Sequence, residues 1–394
     1  MDQHLPGVSG TIVWVAPFYN RSGYGIGARA TVVSLHKAGL RIRIISVNEV
    51  ESGIDDCDLS LIKSLEKTPV IPPVTVIVFH VPSKSWFDIK IAEPNVRIIG
   101  TTFDSSAQGN VPPPEWIAVC NEMDQVWLMT GQERNAFVSA GLPPEKIQFV
   151  RWPHHWLNNP LLPPISPEAT DQNTPFRFLS IAMFLPRRRW DTLIEAYLEE
   201  FRDNEKVELY LKVNYPSWHP EPDKPKQDLQ HLVKSLRQKT GSQAIITIDE
   251  ALGKRSGIVR LVDSCNSYIS TDTAATAPIS EARARQRMII IPEGLVGMPP
   301  DQIIPVDPNA QLPLTKEMLL YQPHHKEAFM PQLHVEDVRH AMRTVYNMSP
   351  EERHARSISS ASFLPDVSQT VPEAINAINS AWQSKGEKEK MQES

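Results

Sequence analysis

Twice along this chain a short apolar run alternates with a helical pattern, and the alternation is interrupted once. Thr11–Ala16 (TIVWVA) is rich in β-branched and aromatic residues and reads as a strand buried on both faces. A glycine-bearing loop leads into a helix from about Tyr24 to Ala38, closed by Gly39, and then into a strand over Arg41–Val47. Further strands are expected at Val74–His80, Val96–Thr101, Gln125–Met129 and Gln148–Trp152. From Pro153 to Pro175 the pattern gives way to Pro, Asn and other polar residues, as in a linker. It then resumes with strand Phe176–Ala182, helix Trp190–Phe201, strand Val207–Val213 and a helix over about Lys226–Gln238. Strand Ala244–Ile248, helix Ile258–Ser264, strand Tyr268–Thr271, helix Ile279–Gln286 and strand Met288–Pro292 follow. Helices are also expected at Val335–Tyr346, Glu351–Ser360 and Pro372–Trp382.

Strands that alternate with helices form parallel sheets covered on both faces. A chain of 394 residues exceeds what one core normally serves. The expectation is therefore α/β, with two Rossmann-like domains facing across a cleft. Residues 1–152 form the first domain, 153–175 the linker, 176–370 the second domain, and 371–394 a C-terminal helix with a disordered charged tail.

Composition narrows the partners. The formal net charge of -6 provides no basic field for a nucleic-acid backbone. Three scattered cysteines (Cys57, Cys120, Cys265) make no disulfide framework and fit a reducing, cytoplasmic setting. The segment MDQHLPGVSG lacks the basic and apolar regions of a signal peptide, and no apolar run reaches the roughly 18 residues of a spanning helix. A peripheral membrane contact is left open. No Cys/His/Asp cluster has metal-ligand spacing, and no metal is expected.

In doubly wound sheets ligands gather at the carboxyl ends of the strands. Three loops there could carry chemistry. Asn20-Arg21-Ser22-Gly23-Tyr24-Gly25-Ile26-Gly27 could bring backbone N–H groups and a helix N-terminus to a phosphate, although a plain tight turn explains it equally well. Arg187-Arg188-Arg189 opens a helix, where positive charge opposes the helix dipole, and an anionic ligand would resolve the conflict. Lys212 ends a strand and could converge there, or simply extend its ammonium to water. Ser270-Thr271-Asp272-Thr273 runs into Pro278-Ile279-Ser280-Glu281, where Glu281 reads either as a ligand contact or as a first-turn helix charge. His80 and Asp104 follow buried strands, and a lone histidine in such a place is more often a core residue.

In order and spacing these loops resemble the retaining GT-B glycosyltransferases of the GT4 type, over most of the chain. Ser22-Gly23, sixteen residues before Gly39, resembles that family's Gly-Gly helix start. Arg97–Asp104, Pro114-Glu115-Trp116 and Asp124–Trp127 look like the block before the linker. Phe178–Ser180 through Arg188 to Asp191–Ala196, and Tyr268–Ser270 with Pro278–Ala282, are similar to the donor-side blocks.

The resemblance implies a hexosyltransferase-type enzyme. It would move a sugar from a nucleotide-diphosphate donor to a hydroxyl acceptor, a glycan or polysaccharide precursor, with retention. It implies no metal and no cofactor beyond the nucleotide sugar as co-substrate. Arg188, Lys212 and Asp104 fall at catalytic positions. Gly23, Arg187, Asp272, Thr273, Ser280 and Glu281 fall at donor-binding positions, with Glu281 on the ribose. Tyr24, Gly25 and His80 fall on the acceptor side. Met183 replaces a usual arginine, Thr273 the first glutamate of an E-x7-E pair, and Phe103-Asp104 a frequent histidine. Those departures motivate a second reading, a catalytically degenerate GT-B protein acting as a nucleotide-binding or assembly subunit. A third reading is another GT-B enzyme, such as an epimerase.

Overall fold

The computed structural model describes residues 10–20, 22–47, 59–70, 74–80, 96–102, 111–153, 174–216, 219–251, 255–272, 276–292, 303–304, 307–321, 329–361 and 367–392. The backbone divides into two compact units, Met1–Asn158 with Pro365–Ser394, and Asn159–Leu364. Most of the expected linker, residues 154–173, lies outside the described residues.

The first unit is built on six strands: β1 (Thr11–Ala16), β2 (Ile42–Ser46), β3 (Val74–His80), β4 (Arg97–Thr101), β5 (Gln125–Leu128) and β6 (Ile147–Phe149). They pair in parallel in the order β2-β1-β3-β4-β5-β6. All six residues of β1 are buried, which is why an unbroken apolar run works there. Ile12, Trp14 and Ala16 enter one core, while Val13 and Val15 enter the core on the opposite face. Helices α1 (Gly23–Lys37), α2 (Leu59–Leu65), α3 (Pro114–Glu122) and α4 (Gly131–Ser139) connect the strands. At the head of α4, Thr130 and Glu133 form a reciprocal capping box.

The second unit carries β7 (Phe176–Met183), β8 (Val207–Asn214), β9 (Ile245–Asp249), β10 (Ser267–Ile269), β11 (Met288–Pro292) and β12 (Ile303–Ile304). These are also parallel, in the order β12-β11-β10-β7-β8-β9. Helices α5 (Trp190–Glu200), α6 (Lys224–Thr240), α7 (Arg255–Asp263) and α8 (Thr276–Ala284) follow strands β7 to β10 in turn. A two-stranded antiparallel ribbon, β13 (Asp307–Pro313) with β14 (Phe329–Gln332), brackets the short helix α9 (Lys316–Tyr321) and precedes α10 (Val335–Asn347) and α11 (Pro350–Ala361). Phe178 on β7 enters the core shared with α5, α6 and α10, and its neighbour Leu179 enters the core shared with α7 and α8.

The last helix, α12 (Val367–Gln392), belongs by its contacts to the first unit. Ala374, Ala377, Ile378 and Ala381 recur at helical spacing and pack with Ile12, Trp14 and Val32. Arg97 Nε donates to the Ala381 carbonyl (3.0 Å), Gln125 Nε2 to Ser380 Oγ (2.8 Å), and Arg151 pairs with Glu373. The charged segment from Ser384, expected to be disordered, is instead helical as far as Gln392. Its Lys, Glu and Gln residues are good helix formers, and they extend a helix already nucleated by its docked turns.

Candidate functional site

Each sheet reverses its direction of winding once. In the second unit the chain leaves β7 for β8 and β9 on one side, then returns to place β10, β11 and β12 on the other. The crevice at such a switch point, between the carboxyl ends of the diverging strands, is where open α/β sheets bind ligands. The arginine turn leaves β7 at that place, and the Ser270–Asp272 loop leaves β10 beside it. β10 ends at Ile269, two residues earlier than the sequence suggests, which frees those residues to turn inward.

Pro186–Arg188 form a single 3-10 turn, and Arg189 follows in the left-handed region at φ 49. A non-glycine residue held there is strained, and its side chain contributes to the restraint. Arg189 folds back on α5, with Nε 3.2 Å from Asp191 Oδ1 and Nη2 2.7 Å from Thr192 Oγ1. The positive charge at this helix start is thus partly met by the helix's own first turn. Arg187 and Arg188 do something different. Arg188 Nη1 pairs with Asp272 Oδ2, and Arg187 Nη1 stands 3.7 Å from the same oxygen. Thr271 Oγ1 donates to the Arg188 carbonyl, and the Asp272 N–H donates to Ser270 Oγ (3.2 Å). Two guanidinium groups therefore converge on one carboxylate at the switch point. The side chain of Asp272 is 1% exposed, that of Arg188 15% and that of Arg187 20%. Arg188 Nε is buried and makes no hydrogen bond among the described residues. Burial, reinforced by the like charge of Arg187, pushes the Arg188 guanidinium well below its ordinary pKa.

Ser280 and Glu281 are buried on α8. The helix begins at Thr276, three residues before the expected start, so Glu281 lies in its second turn rather than its first. That position removes the simple helix-charge explanation for the residue. Lys212, near the end of β8, is buried, and its ammonium is held by Asp249 Oδ1 (2.9 Å) and the Ala251 carbonyl. Partial burial opposes ionisation of Asp249, but hydrogen bonds from Lys212, the Ala251 N–H and Tyr210 lower its pKa overall. Among the described residues no hydrogen bond or ion pair joins Lys212 to the arginine turn. Thr273 and Asp104 lie outside the described residues.

In the first unit the switch point falls between β1 and β3, at the Ser22–Gly25 turn and His80. Ser22 caps α1, with Oγ accepting from the Gly25 N–H (3.3 Å), and its own N–H donates to Asn20 Oδ1 (2.6 Å). Arg29 pins the loop by donating to the Phe18 and Asn20 carbonyls (2.7 and 2.9 Å). A Cβ on Gly25 would stand 2.2 Å from the Asn20 carbonyl oxygen, whereas one on Gly23 would meet nothing within 4 Å. The Tyr24 hydroxyl lies 2.9 Å from Thr102 Oγ1. His80 is wholly buried, with its ring 4.2 Å from that of Trp152 and 6.1 Å from those of both Trp14 and Tyr24. Among the described residues neither of its ring nitrogens has a hydrogen-bond partner, and burial lowers its pKa to about 3, so the imidazole is neutral.

Sequence reasoning did not single out Trp152, whose Nε1 donates to Thr101 Oγ1 (2.9 Å) and whose ring covers Gly27. The one available signal was the second glycine of Gly25-Ile26-Gly27, which marks a close approach. Among the described residues no group of three His, Cys, Asp or Glu side chains could hold a metal ion, and no helix is long and apolar enough to cross a membrane.

No protein-family model matches the chain, and no curated protein matches it. Solved structures do. HepE of Anabaena, in complex with UDP and glucose, matches 94% of this chain and 100% of its own at TM-score 0.64 and 13% identity. A glycosyltransferase from Rickettsia africae matches 94% and 98% at TM-score 0.58 and 13% identity. Apo OtsA matches 96% and 99% at TM-score 0.60 and 12% identity. Identities this low speak to architecture alone, and the architecture, two Rossmann-like units with parallel sheets, is that of the GT-B glycosyltransferases.

Proposed function

We propose that this chain is a glycosyltransferase that moves a sugar from a nucleotide-diphosphate donor to a hydroxyl acceptor. The observation that carries the reading is the pair Arg187 and Arg188 at the switch point of the second sheet, with a buried Arg188 nitrogen that makes no hydrogen bond among the described residues. Solved relatives in fold support it, since HepE is described with UDP-glucose. As the bond from the sugar to the diphosphate breaks, negative charge builds on phosphate oxygens. Guanidinium groups already oriented there stabilise that charge without delivering a proton or reorganising solvent. In this reading the two arginines meet the charge of the leaving group without a metal ion, and the transfer proceeds with retention, as the resemblance to GT4-type enzymes implies. Glu281 accepts from the ribose hydroxyls, and Ser280 adds a hydroxyl contact. On the first unit, Tyr24 faces the acceptor, which we take to be a glycan or polysaccharide precursor, with a hexose as the sugar moved; Gly25 and the neutral His80, both buried, support it from behind instead of meeting the acceptor.

The test is a thermal-shift screen against UDP, GDP, ADP and their sugars, followed by turnover of the donor that binds. A ligand at a hundredfold excess over its Kd stabilises by about 2.7 kcal/mol. Arg188→Ala is expected to lower kcat by roughly 10²–10³. An unchanged rate would remove Arg188 from the reaction. Binding of a nucleotide without transfer to any acceptor would favour the non-catalytic reading, which draws on the partial neutralisation of the arginines by Asp272.

A further inference from the structure

The arginines of the second unit already hold an anion, and it is part of the chain. Asp272 is almost completely buried, its backbone N–H is fixed by Ser270 Oγ, and its Oδ2 receives Arg188 and faces Arg187 at 3.7 Å. The loop that carries it is tied to the arginine turn by the Thr271 hydroxyl on the Arg188 carbonyl. The carboxylate is therefore held in place, while the two side chains it pairs with retain some exposure to solvent. A diphosphate arriving at those guanidinium groups would meet a fixed like charge beside them.

We propose that Asp272 is an internal counterion of this site: a nucleoside diphosphate must displace it from Arg188 and Arg187 to bind, and it recaptures both arginines when the diphosphate departs. The idea rests on the nucleotide-diphosphate reading above and adds how the site releases its product. A site made of two arginines alone would hold a nucleoside diphosphate tightly after the sugar had gone. A resident carboxylate weakens that grip and keeps the unliganded guanidinium groups paired, which spares them the cost of being buried without a partner.

The experiment is calorimetric titration of the full chain with UDP, GDP, ADP and inorganic pyrophosphate, comparing wild type with Asp272→Asn and Asp272→Glu. Asp272→Asn is nearly isosteric and removes the charge. It is expected to bind the preferred nucleoside diphosphate at least about tenfold more tightly than wild type. Asp272→Glu keeps the charge and is expected to stay within about threefold of wild type. Pyrophosphate, which lacks base and ribose, should show the same order. If wild type binds a nucleotide and Asp272→Asn binds it equally or more weakly, the counterion role is refuted and the nucleotide reading stands. If no variant binds any nucleotide or pyrophosphate, both fall. A second readout needs no variant: in a crystal structure of the wild-type chain saturated with the preferred nucleotide, Arg188 and Asp272 should have parted. An intact pair beside a bound diphosphate would overturn the proposal.

Discussion

His80 should make the first unit sensitive to mild acid. The imidazole is fully buried among Trp14, Tyr24 and Trp152, none of which carries a charge at neutral pH, and burial lowers its pKa from 6.5 to about 3. Unfolding returns it to water and to its ordinary value. Below pH 6.5 the unfolded chain takes up a proton that the folded chain refuses, so protons favour unfolding. The contribution of His80 to stability is thus full above pH 6.5 and is lost progressively as pH falls toward 3. Each pKa unit corresponds to about 1.4 kcal/mol, so at pH 5 the loss from this residue is about 2 kcal/mol. The assay is urea unfolding followed by tryptophan fluorescence at pH 7 and pH 5, on wild type and on His80→Leu. The variant differs in absolute stability, but contributions from carboxylates elsewhere cancel when the loss of stability between the two pH values in the variant is subtracted from that in wild type. Wild type should lose about 2 kcal/mol more than the variant between those pH values. Equal losses would mean that the imidazole reaches water or a partner in the folded chain, and the reasoning from burial would fail.

Two further expectations concern packing. Gly27→Ala places a Cβ 2.5 Å from the Trp152 ring, so the ring must shift, and thermal melts should show a loss of about 1–3 kcal/mol, whereas Gly23→Ala, with open space around it, should cost less. Ile378→Ala removes a fully buried side chain from the core that α12 shares with β1, and urea unfolding should report a loss of about 2–5 kcal/mol.

The alternation of strands and helices was legible because apolar runs such as Thr11–Ala16 and Met288–Pro292 are short, β-branched and bounded by breakers. Both form strands with the expected bounds. Helix α4 was missed even though Thr130-x-x-Glu133 is a readable cap, because it buries only Glu133, Ala136 and Phe137 and so lacks an apolar stripe. The ribbon of β13 and β14 carries three prolines, Pro308, Pro313 and Pro331, which argue against strand on composition alone. The spacing of Ala374, Ile378 and Ala381 announces a helix with a buried face but not which core covers it. The meeting of Arg188 with Asp272, 84 residues further on, depends on β10 lying beside β7. Strand order is decided by how whole layers pack, and no local pattern in either segment encodes it.

The attachment of α12 to the first sheet has a consequence for synthesis. The ribosome makes residues 159–364 after the strands of the first unit and before the helix that completes their core. Domains generally fold as units, in the order in which they emerge. Here the second unit is complete before the first, and the core begun at Thr11, already lined by Val32, Leu35, Ile62 and Leu65, stays incomplete until Ile378 and Ala381 arrive. The incomplete first unit is therefore the long-lived nascent species, and a ribosome stalled before residue 374 would leave the part of that core covered by α12 exposed to chaperones or to aggregation.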